Sequence, residues 1–526
     1  MKRTLAVLLA FAAAAPLGAC RRALPGATIV YGRGEDAESL DPQAINDGES
    51  AKVCNNLFEG LVTFGPGTCD IVPSLAESWT TSPDGLEWTF RLRQGVLFHD
   101  GTPFDAEAVA FSMARLLDKE NPLRPDDKVP NAEFFRGVIA SVTPKDTATV
   151  VFRLSRPYSP FLANMAMFSA SMVSPKAVKE KGARAFGKSP VGTGPFRFES
   201  WSQGEKKIVL VRNEKSWLGP SAVGKVIFKT IPDNNARLTA LRSGDINWMD
   251  GVPCEEISAC RGDAKLKVWS APGFNVGYLA INTERKPFDD VRVRRAVSLA
   301  IDRKRLVDAL YYGSAVPAVH PLPPGSLGYD GSVKVPAADP AKAKALLAEA
   351  GFPDGFDTDL YAMPNPRPYF TNPPKIAEVL KADLAAVGIR AKIETAGDFS
   401  LYREALSNGR HSLGMLGWTG DNGDTDNFLF TFFAKEMAVK GPGANNVSFW
   451  VDPKMQDMLR RGQDETDPAK RAAIYREALA LVADQVPMVP IAHAEQVFLS
   501  RAGFEGFHVQ PTGDVLFHGV KPPVGE

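Results

Sequence analysis

Six histidines, five cysteines and one acidic run are the side chains of this 526-residue sequence that could do chemistry. The histidines, at 99, 320, 411, 493, 508 and 518, show neither the spacing of a zinc-protease helix nor a nucleophile motif, so no catalytic set assembles. The glycine-rich VGTGPF at 191–196 lacks the Lys-Ser/Thr ending with which a phosphate loop holds a nucleotide, and it reads as a turn before a strand. The run Asp421-Asn422-Gly423-Asp424-Thr425-Asp426 offers the oxygens that calcium prefers, but it lacks the alternation and the closing Glu of an EF-hand loop. Asp424 and Asp426 are therefore expected in a solvated turn held by Asx hydrogen bonds. No enzyme activity, metal or cofactor is expected.

Lys2 and Arg3 precede an apolar run from Leu5 to Leu17 that ends in Leu17-Gly18-Ala19-Cys20, the arrangement of an export signal. The run falls short of the about 20 apolar residues that span a bilayer. Leu17 is too large for the general signal peptidase, whereas a cut before Cys20 suits lipoprotein processing, and Leu-Gly-Ala-Cys resembles the bacterial lipobox. Residues 1–20 are thus expected to be removed, with Cys20 lipidated and the chain anchored to a membrane without spanning it. Which membrane holds it stays open, although Arg21 is not the acidic residue of inner-membrane retention. The remaining Cys54, Cys69, Cys254 and Cys260 are an even number bound for an oxidising compartment. Pairing of 54 with 69 and of 254 with 260 is expected, since each closes a short loop, but four cysteines allow three connectivities.

The elements that must position any site mix strands and helices throughout. In Lys225 to Asp250, VIFKTI reads as a strand, Asp233 caps a helix ending before Gly244, and DINWM reads as a strand again, so the fold class is α/β. Ile376, Leu380, Leu384 and Val387 recur at helical spacing before Gly388, after which IRAKIE alternates as a strand. Asp339-Pro340 and Asp467-Pro468 open two more helices. From Asp70 to Leu154, LEWTFRLR, a turn at Asp100-Gly101, a helix near 106–117 and TATVVFRL suggest an inserted α+β subdomain. The proline-rich 317–324 is a candidate linker. About 500 mature residues exceed one core, so at least two domains are expected. Lys plus Arg and Asp plus Glu both total 61, and no basic run points to nucleic acid.

Several ordered blocks resemble the periplasmic solute-binding proteins of peptide ABC importers: LAESWTTSPDGLEWTFRLRQGVLFHDGTPFDAEAV at 75–109, VGTGPFRF at 191–198, PGFNVGYLAINTERKPFDDVRVRRAVSLAID at 272–302 and DPAKAKALLAEAGF at 339–352. YAMPNPRPYF at 361–370 and GWTGDNGDTDNFLF at 417–430 are similar to the dipeptide-binding branch. Ala108, where the family more often has an acidic residue, and the positions of the cysteines depart from it. The resemblance implies a two-lobed periplasmic-binding-protein fold with mixed sheets, its hinge near Asn275 to Ala280 and Val489 to His493. One lobe would use 27–275 and 491–526, with the subdomain at about 58–192, and the other 276–490.

The resemblance also places Asp421 where the branch holds a peptide's α-ammonium and Arg367 where it holds the α-carboxylate, with Trp418 and Tyr369 as pocket walls and Gly420 beside them. The implied partners are dipeptides or short peptides, then permease and ATPase subunits; a monomer in the periplasm or cell envelope is the family expectation. A free dipeptide carries opposite charges roughly 6 to 7 Å apart at extended-chain rise, so two fixed counter-charges would measure its length. Other ligands on this scaffold, namely oligopeptides, heme, glutathione or a nickel chelate, remain alternatives, as does a sensory rather than a transport role.

Overall fold

The computed structural model describes residues 27–125, 129–333 and 337–523. The expected signal segment and Cys20 lie outside them. Asp233, Asp339 and Asp467 each accept backbone N–H bonds at the start of helices Asn234–Ser243, Pro340–Glu349 and Pro468–Gln485, relieving donors that a helix start leaves unpaired. Gly244, at φ +91°, and Gly388, at φ +96°, take the left-handed conformation that ends a helix at little cost. The helix near 106–117 forms as Ala106–Leu117.

The strands build two lobes. In one, Ala27–Arg33 is parallel to Val223–Thr230, and the sheet continues antiparallel through Lys207–Arg212 to Phe196–Ser202. In the other, Ile389–Glu394, Phe356–Tyr361, Leu413–Thr419 and Asn275–Ile281 lie side by side. The long strand Met488–Arg501 belongs to both: Met488 to Ala492 pairs with Asn275–Ile281, and Glu495 to Arg501 pairs with Leu266–Pro272. Only Gly273 and Phe274 separate those two partners, so the chain crosses between lobes twice at one level. Asn275 ties the crossings together, donating from Nδ2 to the Ala494 carbonyl at 2.9 Å and accepting the Ala494 N–H at 3.0 Å.

Each lobe buries its own core, one built around Tyr31, Phe228, Trp248 and Phe517, the other around Tyr278, Phe370, Leu380 and Phe432. The four-stranded sheet of Ala76–Thr81, Glu87–Leu92, Thr149–Leu154 and Ile139–Asp146 packs a third core with Phe90, Phe152 and Met113. This is the inserted subdomain.

Three expectations need correction. All four cysteines are free thiols. Cys254 and Cys260 belong to consecutive helical segments, Cys254–Glu256 and Ile257–Gly262, and six residues of helix separate Cα atoms by about 9 Å, beyond the reach of a disulfide. Cys54 points into the core of its lobe, while Cys69 sits against Gly423 of the other lobe. The segment 317–324 is no linker, because Ala318 and Leu322 are buried in the core. Proline has no N–H to leave unpaired, which makes such burial tolerable. Finally, the turn at 421–426 keeps its Asx bonds, Asp424 N–H to Asn422 Oδ1 and Asp426 N–H to Asp424 Oδ1, but it is packed rather than solvated.

Candidate ligand-binding cleft

Strand Leu413–Thr419 runs antiparallel to Asn275–Ile281 with Thr419 opposite Asn275, so it delivers Gly420 and Asp421 to the level where the chain crosses between lobes. The Gly420 N–H donates to the Phe274 carbonyl at 2.8 Å. A Cβ at 420 would lie 2.5 Å from the Phe274 ring and 2.7 Å from Phe428, so this close approach requires glycine. Gly420 therefore shapes the loop through packing.

The Asp421 N–H donates to Asn427 Oδ1 at 3.2 Å, and Trp418 Nε1–H donates to the same oxygen at 2.8 Å. Asn427, 1% exposed, thus fixes Trp418 and Asp421 together. It stands inside the 417–430 block, yet nothing in its residue type distinguishes it there. Burial, reinforced by the charge of Asp514 and opposed by Asn427, pushes the Asp421 carboxyl up to about 7. Among the described residues, neither Asp421 nor Asp514 has an ion-pair partner, as every ion pair found joins other residues. A partly buried carboxylate without a counter-charge costs free energy that a bound cation would recover.

Arg367 lies in the loop between strand Phe356–Tyr361 and helix Pro373–Ala385, within a tight turn whose ends, Arg367 and Phe370, exchange backbone N–H···O bonds of 3.0 Å. Its guanidinium is 4.2 Å from the centre of the Phe399 ring and 3.7 Å from Glu35 of the opposite lobe, with 24% of the side chain exposed. Tyr369 is more core than wall: it is 7% exposed, its ring covers the backbone of Gly417, and its carbonyl accepts the Tyr311 hydroxyl at 2.8 Å. Trp418 is half-buried. Tyr369 covers the Gly417 side of the strand and Arg367 acts electrostatically on its hydroxyl, whereas Trp418, the next residue of the strand, points to the other side, where Asn427 holds it together with Asp421.

The opposite lobe meets this one at several points near Asp421 and at the rim. Asn422 Nδ2 donates to Asn164 Oδ1 at 2.5 Å, and a Cβ at 423 would come 2.2 Å from the Cys69 Cβ. At the rim, Arg156 pairs with Asp464 and donates to Gln463 Oε1 at 2.6 Å, while the Ser159 N–H donates to the Gln463 carbonyl at 2.8 Å. Behind this rim, Gln463 Nε2 donates to the buried Asp426 carboxyl at 3.0 Å, and Arg471 grips Asp424 with two 2.7 Å bonds. The acidic run is thereby spent on structure except at Asp421. The lobes are closed upon each other.

His411 and His493 donate to backbone carbonyls of Val447 and Asn275, and burial lowers them to about 3 and about 4, which keeps them neutral. Among the described residues, no three His, Cys, Asp or Glu side chains are grouped to hold a metal, and no helix is long and apolar enough to cross a membrane.

The sequence matches the family of bacterial extracellular solute-binding proteins, family 5, over residues 70–438. It is 35% identical to the dipeptide-binding protein of Escherichia coli K12 over 94% of each chain, and 33% identical to heme-binding protein A of Haemophilus influenzae over 94% of this chain and 92% of that one. Its fold superimposes on the ABC transporter-associated periplasmic binding protein DppA of Helicobacter pylori, in complex with the peptide STSA, with a TM-score of 0.85, 33% identity and coverage of 94% of this chain and 98% of that one. The chain therefore belongs to the bacterial extracellular solute-binding proteins of family 5, a binding protein and not an enzyme.

Proposed function

We propose that this protein captures dipeptides by their two charged ends and delivers them to an ABC permease driven by separate ATPase subunits. Asp421 takes the α-ammonium and Arg367 the α-carboxylate. The observation that carries the reading is the partly buried Asp421 carboxyl without a counter-charge, in the same lobe as an arginine whose planar fork can donate two parallel hydrogen bonds to a carboxylate. Charged hydrogen bonds contribute roughly 1.5 to 3 kcal/mol each. A micromolar ligand needs about 8 kcal/mol, so the peptide backbone must be bonded between the lobes as well. Backbone bonding ignores side chains, and broad specificity follows.

The lobes divide near 275/276 and 490/491, and the mature chain works as an extracytoplasmic monomer tethered through Cys20. Relatives whose names specify dipeptides support the assignment. A heme ligand would bring carboxylates and no ammonium, leaving Asp421 without a role. Native mass spectrometry of protein recovered from bacterial periplasm tests the proposal: dipeptide masses released on denaturation are expected, and tetrapeptides or heme in their place would refute it.

A further inference from the structure

Asp514, in the other lobe, acts electrostatically on Asp421. The Phe274 N–H donates to the Pro511 carbonyl at 2.8 Å, and the Phe274 carbonyl accepts the Gly420 N–H at 2.8 Å, so two consecutive backbone bonds dock the 511–514 loop against the loop that carries Asp421. Both Asp514 oxygens are fixed by neutral donors, Asn55 Nδ2 at 2.6 Å and the Thr512 hydroxyl at 2.8 Å. Neutral donors orient a carboxylate without cancelling its charge. The field of Asp514 reaches both Asp421 and Cys69, and the Cys69 side chain touches Gly423, two residues from Asp421. Two carboxylates, one from each lobe, thus stand on loops docked on the same residue, Phe274, and within electrostatic reach of each other.

Like charges at short range in a desolvated site repel strongly. A folded protein relieves such a pair by protonating one member or by placing positive charge between them. We propose that Asp514 is the second half of the ammonium site, so that the ligand's α-ammonium is gripped from both lobes and its charge draws the lobes together. This rests on the assignment of the ammonium to Asp421. Without ligand, the pair opposes closure wherever both carboxyls are ionised, above about pH 7; with ligand, repulsion becomes two attractive contacts. An ammonium offers three N–H donors, enough for a carboxylate oxygen from each lobe and one further acceptor.

The test is calorimetric titration of Ala-Ala into wild type, Asp514→Asn, Asp514→Glu and Asp421→Asn, with the radius of gyration measured by small-angle scattering before and after ligand. Asp514→Asn keeps an oxygen for Asn55 and is expected to fold; its melting temperature checks this. We expect Asp514→Asn to weaken Ala-Ala by about tenfold to a hundredfold, the range for a charged hydrogen bond. Asp514→Glu, which keeps the charge, should retain most of the affinity. At pH 8, where Asp421 is ionised, ligand-free Asp514→Asn should be more compact than ligand-free wild type, because the repulsion is gone. Loss of binding in Asp421→Asn with none in Asp514→Asn would overturn the two-lobe bridge alone. Unchanged binding in both would overturn the ammonium assignment and the bridge with it.

Discussion

Arg367 of one lobe and Glu35 of the other stand 3.7 Å apart, close enough to attract and too far for the short bidentate bonds of which an arginine fork is capable. Asn365 supports the same glutamate at 3.4 Å. A peptide carboxylate entering the cleft competes with Glu35 for the guanidinium and can use both of its donors. Arg367→Ala is expected to weaken Ala-Ala by about tenfold to a hundredfold. Arg367→Lys should restore only part of this, since an ammonium cannot supply two parallel N–H bonds. Amidating the peptide's C-terminus should cost wild type as much as the mutation and cost Arg367→Ala nothing more, by calorimetry.

The raised Asp421 carboxyl, at about 7, sets a pH window. Asp514 is also raised by burial, and the neighbouring Cys69 thiol, pushed up to about 12, stays neutral. The folded, ligand-free protein holds a proton on Asp421 that the unfolded chain gives up near 4. This group's contribution to stability is therefore complete below about 4 and is lost as pH rises through about 7. Ligand binding has the opposite sign, because only the carboxylate attracts an ammonium. The Kd for Ala-Ala should rise by up to about tenfold per pH unit below 7, measured between pH 5 and 8.

Closure depends on contacts remote from the ligand. Arg156 joins Asp464 and Gln463 across the rim, and Asn422 joins Asn164. Arg156→Ala should weaken every ligand by a similar factor, about threefold to tenfold, through faster dissociation. Stopped-flow kinetics would show whether the change lies in the off-rate.

Gly423 provides a steric test of the same closure. A Cβ there would meet the Cys69 Cβ at 2.2 Å across the lobes, so Gly423→Ala should hinder closing and weaken binding while leaving the melting temperature of the ligand-free protein nearly unchanged. Cys69→Gly in the same chain should restore affinity. The free thiols also imply that reductant leaves the melting temperature unchanged and that alkylation after unfolding labels all of Cys54, Cys69, Cys254 and Cys260.

Much of the fold was legible because its signals are local. Asp caps, two of them followed by Pro, and glycine stops mark helices within a few residues, and the helices at 234, 340 and 468 begin where those caps stand. The strand expected from DINWM shrinks to Trp248–Met249, because the Asn247 side chain replaces strand pairing by accepting the Val30 N–H and donating to the Thr28 carbonyl. Glu35 and Asp514 act across distances that leave no periodicity in the sequence, and Asn427, near Trp418 and Asp421 in the chain, has nothing in its residue type to mark it. The even cysteine count misled because spacing says nothing about the helix that holds Cys254 and Cys260 apart.

The central claim is that Asp421 meets the free amino end of the ligand, and calorimetry on Ala-Ala and N-acetyl-Ala-Ala, each against wild type and Asp421→Ala, tests it most directly. Each change alone is expected to abolish most of the affinity, and the two together should cost little more than either, since both remove the same charged contact. Binding of N-acetyl-Ala-Ala as tight as that of Ala-Ala, or losses that add in full, would contradict the assignment.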